Sequence, residues 1–527
     1  MIRKTGTFDP IKLEVFKHLF ASIPEEMGVV LRKSSYSPNI KERRDFSCAL
    51  FDSGGNMIAQ ASHIPVHLGA MPLSVKQAIK EIQFKQGDIV ILNDPYRGGT
   101  HLPDITVISP VFIEEKLFGF AANRAHHADI GGMTPGSMPI ARELFQEGLI
   151  IPPVKIVESG KINQGLWNLL LANVRTPLER DGDLKAQLAS NHRGIIRVNG
   201  LVSRYGMEEV NLYSQELLKY TERMTRKLLA DFPDGEYEFE DYMDDDGIND
   251  ELVKIKVKIS IHGDHARVDF TGSAPQQMGS INAVYAITLS AVYYVFRCLL
   301  SLDVPNNSGC LAPIEVIAPK GSIVNAVHPA PVAGGNVETS QRIVDVLLGA
   351  LSKAVPQRIP AASQGSMNNT LVGGWDTDRG KPFTYYETIG GGMGARPNKP
   401  GVSAIHSHMT NTLNTPIEAL EFSYPFQVVK YEIRRGTGGK GKFSGGDGTR
   451  RDIQLRVPAQ VSLLTERRKT KPYGLAGGDS GTPGKNTIIH DGKEKELTSK
   501  GTFDLYAGDI LSIQTPGGGG FGKKENK

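Results

Sequence analysis

The chain has 527 residues, with 60 Lys and Arg against 57 Asp and Glu and a formal net charge of +3. Charges so evenly matched and scattered argue against a nucleic-acid surface, and the length exceeds one ordinary core, so two or three domains are expected. The three cysteines, Cys48, Cys298 and Cys310, have no CxxC spacing and form no even set of pairs, which excludes a disulfide framework.

In chain order, Asp9 is placed to cap a helix with Pro10 at its first position and Leu13, Phe16, Leu19 and Phe20 on one face. Pro24 is expected to open a second helix running toward Arg32. The run Lys41-Glu42-Arg43-Arg44 is a charged loop that enters an apolar strand, with Asp45 at the strand's mouth. Asp52-Ser53-Gly54-Gly55-Asn56 is a turn between residues 49–51 and 57–60, giving a hairpin. His63 and His67 follow in a proline-containing loop. Residues 105–113 and 117–123 read as strands of a second, antiparallel hairpin around Glu114-Glu115-Lys116.

Residues 175–183 lead into a helix bearing Gln187 and Asn191, whose polar side chains either face a site or form a solvated surface. Residues 210–229 form an amphipathic helix. After Asp231-Phe232-Pro233-Asp234-Gly235 the pattern turns to strands over 236–243, 252–261 and 266–270. Asp244-Asp245-Asp246-Gly247 resembles the middle of a calcium loop, but Tyr242 and Val253 stand where the first ligand and the closing Glu are required, so it reads as a hydrated turn.

The longest apolar run, residues 283–296, stops at Arg297 and is too short for a bilayer core of about 30 Å, so it reads as a buried helix and no membrane is expected. A helix is also expected over 340–354, and short β patterns dominate from Tyr431. The glycine-rich residues 515–522 close the ordered chain. The first six residues carry no apolar signal region, which makes the cytoplasm the expected location. The expected class is α+β: a helix-plus-sheet domain over 1–230 holding the site, a central antiparallel-sheet and helix domain over 231–430, and a β-rich domain over 431–527.

Nucleotide motifs fail on their context. Gly436-x-Gly438-x-x-Gly441 has Phe443 where a phosphate loop needs Ser or Thr, and the following Ser444-Gly445-Gly446-Asp447-Gly448 starts no helix. Any ATP therefore belongs to another subunit. There is no Gly-x-Ser-x-Gly elbow; Cys48 reads as a buried structural thiol and Cys310 as a weak nucleophile candidate.

The chemistry concentrates in residues 94–132. A turn centred on Glu115 sets Glu114 opposite Lys116 and, carried back, Asp104 opposite His126, with facing Cβ atoms about 4.5–5.5 Å apart. Pro103 holds His101 near the same end. Two imidazoles and a carboxylate converging there suit a divalent metal with an open position; the alternative is an ordinary His–Asp hydrogen bond at a strand end. His406 and His408 share a face if extended. They hold a second metal or touch substrate, or else Met409, Thr410, Asn411 and Thr412 after them form a polar wall of the same cavity.

Four motifs, Asn93-Asp94-Pro95-Tyr96-x-Gly98-Gly99-Thr100-His101-x-x-Asp104, His126-His127-Ala128-Asp129-Ile130-Gly131-Gly132, His406-Ser407-His408-Met409-Thr410-Asn411-Thr412 and Pro516-Gly517-Gly518-Gly519-Gly520-Phe521-Gly522, together resemble the hydantoinase B/oxoprolinase family over essentially the whole chain. The resemblance implies a B-type subunit of an ATP-dependent amidohydrolase that opens a hydantoin, 5-oxoproline or lactam ring. It implies a hetero-oligomer with a hydantoinase A-type ATPase subunit that binds ATP and magnesium. It also implies one divalent metal (zinc, manganese or iron) on Asp45, His101, Asp104 and His126.

In that reading Asp129 or His127 relays a proton, Arg124 or Arg97 holds a phosphate or carboxylate, and Asp94, His406 and His408 stand near substrate. Two other readings stay open: a subunit of an ATP-dependent acetone- or acetophenone-type carboxylase, and a non-catalytic scaffold for the ATPase.

Overall fold

A computed structural model describes residues 8–61 and 63–524. It opens on α1 (Pro10–Ser34), started by Pro10 in the first turn and by Asp9, whose carboxylate accepts the Ile11 N–H. The break expected at Pro24 does not occur. One helix runs through it, because Phe16, Phe20, Ile23, Met27 and Leu31 lie along one buried face, and continuous packing outweighs the hydrogen bond that proline cannot donate.

After α2 (Pro38–Lys41) come the hairpin of β1 (Phe46–Asp52) and β2 (Met57–Gln60), α3 (Ala70–Glu81), β3 (Ile89–Leu92), β4 (Asp104–Ile113), β5 (Lys116–His126), β6 (Val154–Glu158) and β7 (Lys161–Ile162). The strands form one antiparallel sheet in the order β2-β1-β5-β4-β3-β6-β7. Both faces are covered, and β1 divides its side chains between two cores. Phe46, Cys48 and Leu50 join the core built on α1, while Ala49 and Phe51 join the one containing Met71 and Val75 of α3.

The β4–β5 hairpin ends in the expected register, Asp104 opposite His126, but arrives there by another path. Ile113 pairs with Lys116, so the turn is the two residues Glu114-Glu115, with Glu114 at φ 55°, and is not centred on Glu115. Val111 then pairs with Gly119 and Phe112 with Leu117, leaving Phe118 as the extra residue of a bulge that restores the register.

Three helices follow, α4 (Gln164–Ala172), α5 (Pro177–Tyr205) and α6 (Met207–Ala230), and α5 lies on both α1 and the β4–β5 hairpin. A second sheet, β8 (Gly235–Met243), β9 (Val253–His262), β10 (His265–Asp269) and β11 (Ile314–Ile317), has the order β11-β10-β9-β8, with only the β10–β11 pair parallel. Val253, Ile255, Val257, Ile259 and Ile261 of β9 are buried, as period-two alternation requires of a strand with one face on a core. Helices α7 (Tyr285–Leu299) and α8 (Ser340–Ala354) pack together, with α8 against β8 and β9.

The strands β12 (Asn369–Asp376), β13 (Lys381–Glu387), β14 (Phe426–Arg434), β15 (Gly448–Leu455), β16 (Ala459–Leu464), β17 (Lys485–His490), β18 (Lys493–Leu497), β19 (Lys500–Leu505) and β20 (Ile510–Gln514) make two antiparallel sheets, β13-β12-β16-β19 and β14-β15-β20-β17-β18. The first draws strands from either side of residue 430, and β14 of the second runs across it. The mixture of helices and largely antiparallel sheets is the expected α+β class. Among the described residues no helix is long and apolar enough to cross a membrane.

One further local expectation fails. The Asp244-Asp245-Asp246 turn is buried, not hydrated: Asp244 accepts from the N–H groups of Arg468 and Thr470, Asp245 from Lys469 and Ser499, and Asp246 from the N–H groups of Ile248 and Asn249. Burial pushes the Asp244 carboxyl up, but Lys500 and Thr470 outweigh it and hold it at about 2. Residues 516–522 do more than close the chain. They thread a knot of glycine loops in which Gly518, Gly519 and Gly520 donate to the carbonyls of Gly446, Ala362 and Asp479. A Cβ on Gly519 would lie 2.0 Å from the Tyr473 carbonyl oxygen, so only glycine fits there.

Candidate metal centre

Asp104 begins β4 and His126 ends β5, so the hairpin register places them side by side. His101 comes from the preceding loop, where Gly98, at φ 88°, turns the chain after the short helical turn Pro95–Arg97. His101 Nε2, His126 Nδ1 and Asp104 Oδ1 form a triangle whose three edges are each 3.2 Å. All three residues are buried, between 0% and 2% exposed.

The triangle fits a divalent cation. Ligand atoms about 2.1 Å from a metal and about 100° apart lie about 3.2 Å from one another. Hydrogen bonding alone fits less well, because Oδ1 would accept two N–H groups from directions only about 60° apart, well short of its lone-pair spread. Asp104 Oδ2 is separately engaged: it accepts from Thr100 Oγ1 at 2.6 Å and faces His67 Nε2 at 3.3 Å, and His67 Nδ1 lies 2.9 Å from Ser47 Oγ. These contacts fix the plane of the carboxylate.

Burial pushes the Asp104 carboxyl up, but His101, His126 and His67 outweigh it and hold the group well below the usual carboxylate range. For His126, burial dominates and lowers the ring's pKa against the pull of Asp104 and Asp45. It therefore favours the neutral imidazole that ligates metals.

Other segments close the site. Asn336, in the turn Gly335–Thr339 ahead of α8, sets Nδ2 3.1 Å from His101 Nε2 and leaves its buried Oδ1 without a partner. Tyr386 of β13 stacks on His126 with ring centroids 4.4 Å apart, and the Arg43 guanidinium lies 4.6 Å from the same ring. Asp104 and His126 face a cavity of about 20 Å³, room for one ion or water. Asp45 lines this cavity too, with its carboxylate 3.7 Å from Arg43 Nη2 and its carbonyl accepting the His126 N–H.

Residues 9–524 match the hydantoinase B/oxoprolinase family. The chain belongs to that family. It is 42% identical to 5-oxoprolinase 1 of Arabidopsis thaliana over 98% of its own length, and spans 42% of that longer protein. The structure is similar to the ATP-dependent caprolactamase from Pseudomonas jessenii, with a TM-score of 0.91 and 30% identity over 98% of this chain and 92% of that one. It also shares its fold with an acetone carboxylase, with a TM-score of 0.90 and 19% identity over 98% of this chain and 76% of that one.

Within this family member, the structure brings together His101, Asp104 and His126 and sets Asp45 on the same cavity wall. The remaining expected residues lie elsewhere, and none lines the cavity. His127 Nε2 pairs with Gln187 Oε1 at 2.9 Å, and burial pushes the ring down to about 4. Asp129 accepts from the backbone and guanidinium of Arg175. Arg124 donates to Thr106 and Ser74 below the sheet, and burial lowers its pKa to about 10. Asp94 caps the Tyr96 N–H, and the exposed Arg97 pairs with Glu81.

His408 adopts φ 58°, which breaks an extended run, and points Nδ1 at Tyr294 Oη 3.4 Å away. It therefore does not share a strand face with His406. Of the four residues in the alternative reading, Met409, Thr410 and Thr412 line the cavity and Asn411 does not. Gln187 and Asn191 neither line the cavity nor form a solvated surface: both are buried and donate to the carbonyls of Ile105 and Val107 on β4. Burial pushes the Cys48 thiol up to about 12 and raises that of Cys310, so neither is poised as a nucleophile.

Sequence reading gave no role to His67, Thr100, Asn336 or Tyr386. Thr100 sat inside a quoted motif and His67 beside the other histidines, which was a usable signal. Asn336 and Tyr386 carried none.

Proposed function

We propose that the chain is the B-type subunit of an ATP-dependent amidohydrolase that opens a cyclic amide, with one divalent metal held by His101, Asp104, His126 and Asp45. The observation that carries this reading is the buried 3.2 Å triangle of two imidazole nitrogens and a carboxylate oxygen. A bound zinc, manganese or iron ion would supply Lewis acidity and an acidified water for attack on the amide carbon.

The protein's own groups do the rest. Asp104 stays ionised and supplies the charge that retains a cation. Thr100 and His67 hold its plane. Ile64, Val66, Val337, Met367 and Met409 line the cavity and limit bulk water.

An unstrained amide needs activation before water attacks it at neutral pH. This chain offers no nucleotide cradle at Gly436-x-Gly438-x-x-Gly441, where Gly439 and Gly445 pack in the glycine knot. ATP and its magnesium are assigned to a hydantoinase A-type ATPase partner in a hetero-oligomer. The names of the 5-oxoprolinase and caprolactamase relatives support ring opening.

The test is to co-purify the chain with such a partner, quantify bound metal, and screen hydantoin, 5-oxoproline and caprolactam with ATP. Ring opening with one metal per chain is expected. Bicarbonate-dependent mass gain in a ketone would mark a carboxylase instead. Full turnover by an assembled Asp104→Ala complex would refute the metal role and leave the scaffold reading.

A further inference from the structure

The cavity at the triangle, about 20 Å³, admits one ion or water and no ring. Across its wall lies a larger pocket of about 360 Å³, within the range of small-ligand sites. The segments of the wall alternate between the two spaces. Asp45 lines the inner cavity while Arg44 and Phe46 line the outer pocket; Thr410 and Thr412 face inward while Asn411 and Leu413 face outward; Ile64 lines both. One layer of chain therefore separates the outer pocket from the proposed metal site.

The outer pocket is basic. Arg44 comes from the wall and Arg32 from the face of α1 that also brings Glu25 and Gly28. Two guanidinium groups thus stand against the single carboxylate of Glu25, and among the described residues neither guanidinium makes an ion pair or a hydrogen bond. The contrast with the adjacent Arg43 is direct. Arg43 is fully buried and donates to Asn39, to the Tyr386 carbonyl and to Thr388.

Arg44 has φ 58°, a conformation that a non-glycine residue holds only where its surroundings enforce it. His63 adds a donor of fixed tautomer, because its Nδ1 accepts the Cys48 N–H at 3.2 Å and so leaves the proton on Nε2. Gly28 makes room for that ring: a Cβ there would lie 2.7 Å from His63 Nε2.

We infer that this outer pocket receives the substrate ring and that Arg32 and Arg44 bind an anionic group on it, a carboxylate or a phosphoryl group. That the ligand is a cyclic amide rests on the function proposed above; the anion site rests on the pocket alone.

Calorimetric titration of the full chain with 5-oxoproline, with its uncharged ring analogue 2-pyrrolidinone and with inorganic phosphate tests this. At least one anion is expected to bind, about tenfold or more tighter than 2-pyrrolidinone, and to weaken with added salt. Binding of 5-oxoproline alone identifies a ring carboxylate, and binding of phosphate alone identifies a phosphoryl group. Arg32→Gln and Arg44→Gln are each expected to cost about tenfold in anion affinity with unchanged bound metal and unfolding temperature. Arg32→Lys and Arg44→Lys, which keep the charge, should restore most of it.

The inference is overturned if neither anion binds, if 2-pyrrolidinone binds as tightly, or if both Gln variants bind like the wild type. Bound metal without anion binding refutes the pocket and spares the metal reading. Anion binding without metal does the reverse.

Discussion

Glu147 couples protonation to the packing that delivers Asn336. Its side chain is fully buried; Oε1 accepts the N–H groups of Val332 and Ala333 at 2.8 and 2.9 Å, and Oε2 has no partner. Those bonds anchor the segment leading into the turn Gly335–Thr339, where Asn336 meets His101. Burial pushes the carboxyl up from 4.5 to about 8, against the lowering effect of the Ala333 and Val332 N–H groups. A carboxyl whose folded pKa exceeds its unfolded one contributes its full stability below about pH 4.5, and loses it as pH rises through about 8.

At about 1.4 kcal/mol per pH unit, a rise of that size makes the loss on the order of 5 kcal/mol. Glu147→Gln keeps the acceptor and removes the titration, but puts an N–H pair where Oε2 has no partner, a cost of about 1–3 kcal/mol at any pH. The wild type should therefore be the more stable protein at pH 5 and the variant at pH 9. Urea unfolding of both across that window measures the crossover, and a stability difference that does not change with pH would refute the reasoning.

Asp104→Asn should purify as a folded chain with bound metal reduced to near zero, read by elemental analysis, because it removes the anionic vertex of the triangle. Thr100→Val, which deletes only the 2.6 Å bond to Asp104 Oδ2, should weaken metal binding about 10–100-fold in a chelator competition and leave the unfolding midpoint nearly unchanged. Gly519→Ala drives a Cβ to 2.0 Å from the Tyr473 carbonyl oxygen; it should destabilise the chain by on the order of 3 kcal/mol or more, seen in thermal unfolding.

The Asp104–His126 pairing was legible because both strands are rich in Val, Ile and Phe and the intervening turn is short and charged. Its route was not. The register survives a turn placed half a step early because Phe118 bulges by one residue, and a bulge depends on what the extra side chain packs against. The same limit explains the two overruled local rules. Pro24 breaks helices in isolation and Asp-rich turns seek water, but α1 has a continuous buried face and Asp244 has Arg468, Thr470 and Lys500 around it.

What closes the site comes from far along the chain, and no local pattern records it. Asn336 reaches His101 across 235 residues of sequence, and Tyr386 reaches His126 from a different sheet. Arg43 and Arg44 make the point within one dipeptide. As sequence they are two equivalent charges in one loop. In the fold, Arg43 turns inward to Asn39, Tyr386 and Thr388, beside the cavity. The left-handed backbone at Arg44 turns the next side chain into the outer pocket. One arginine thus braces the ring stacked on a candidate metal ligand, and its neighbour is left with charge to offer a ligand. Only the backbone angle between them separates those roles, and residue type does not encode that angle.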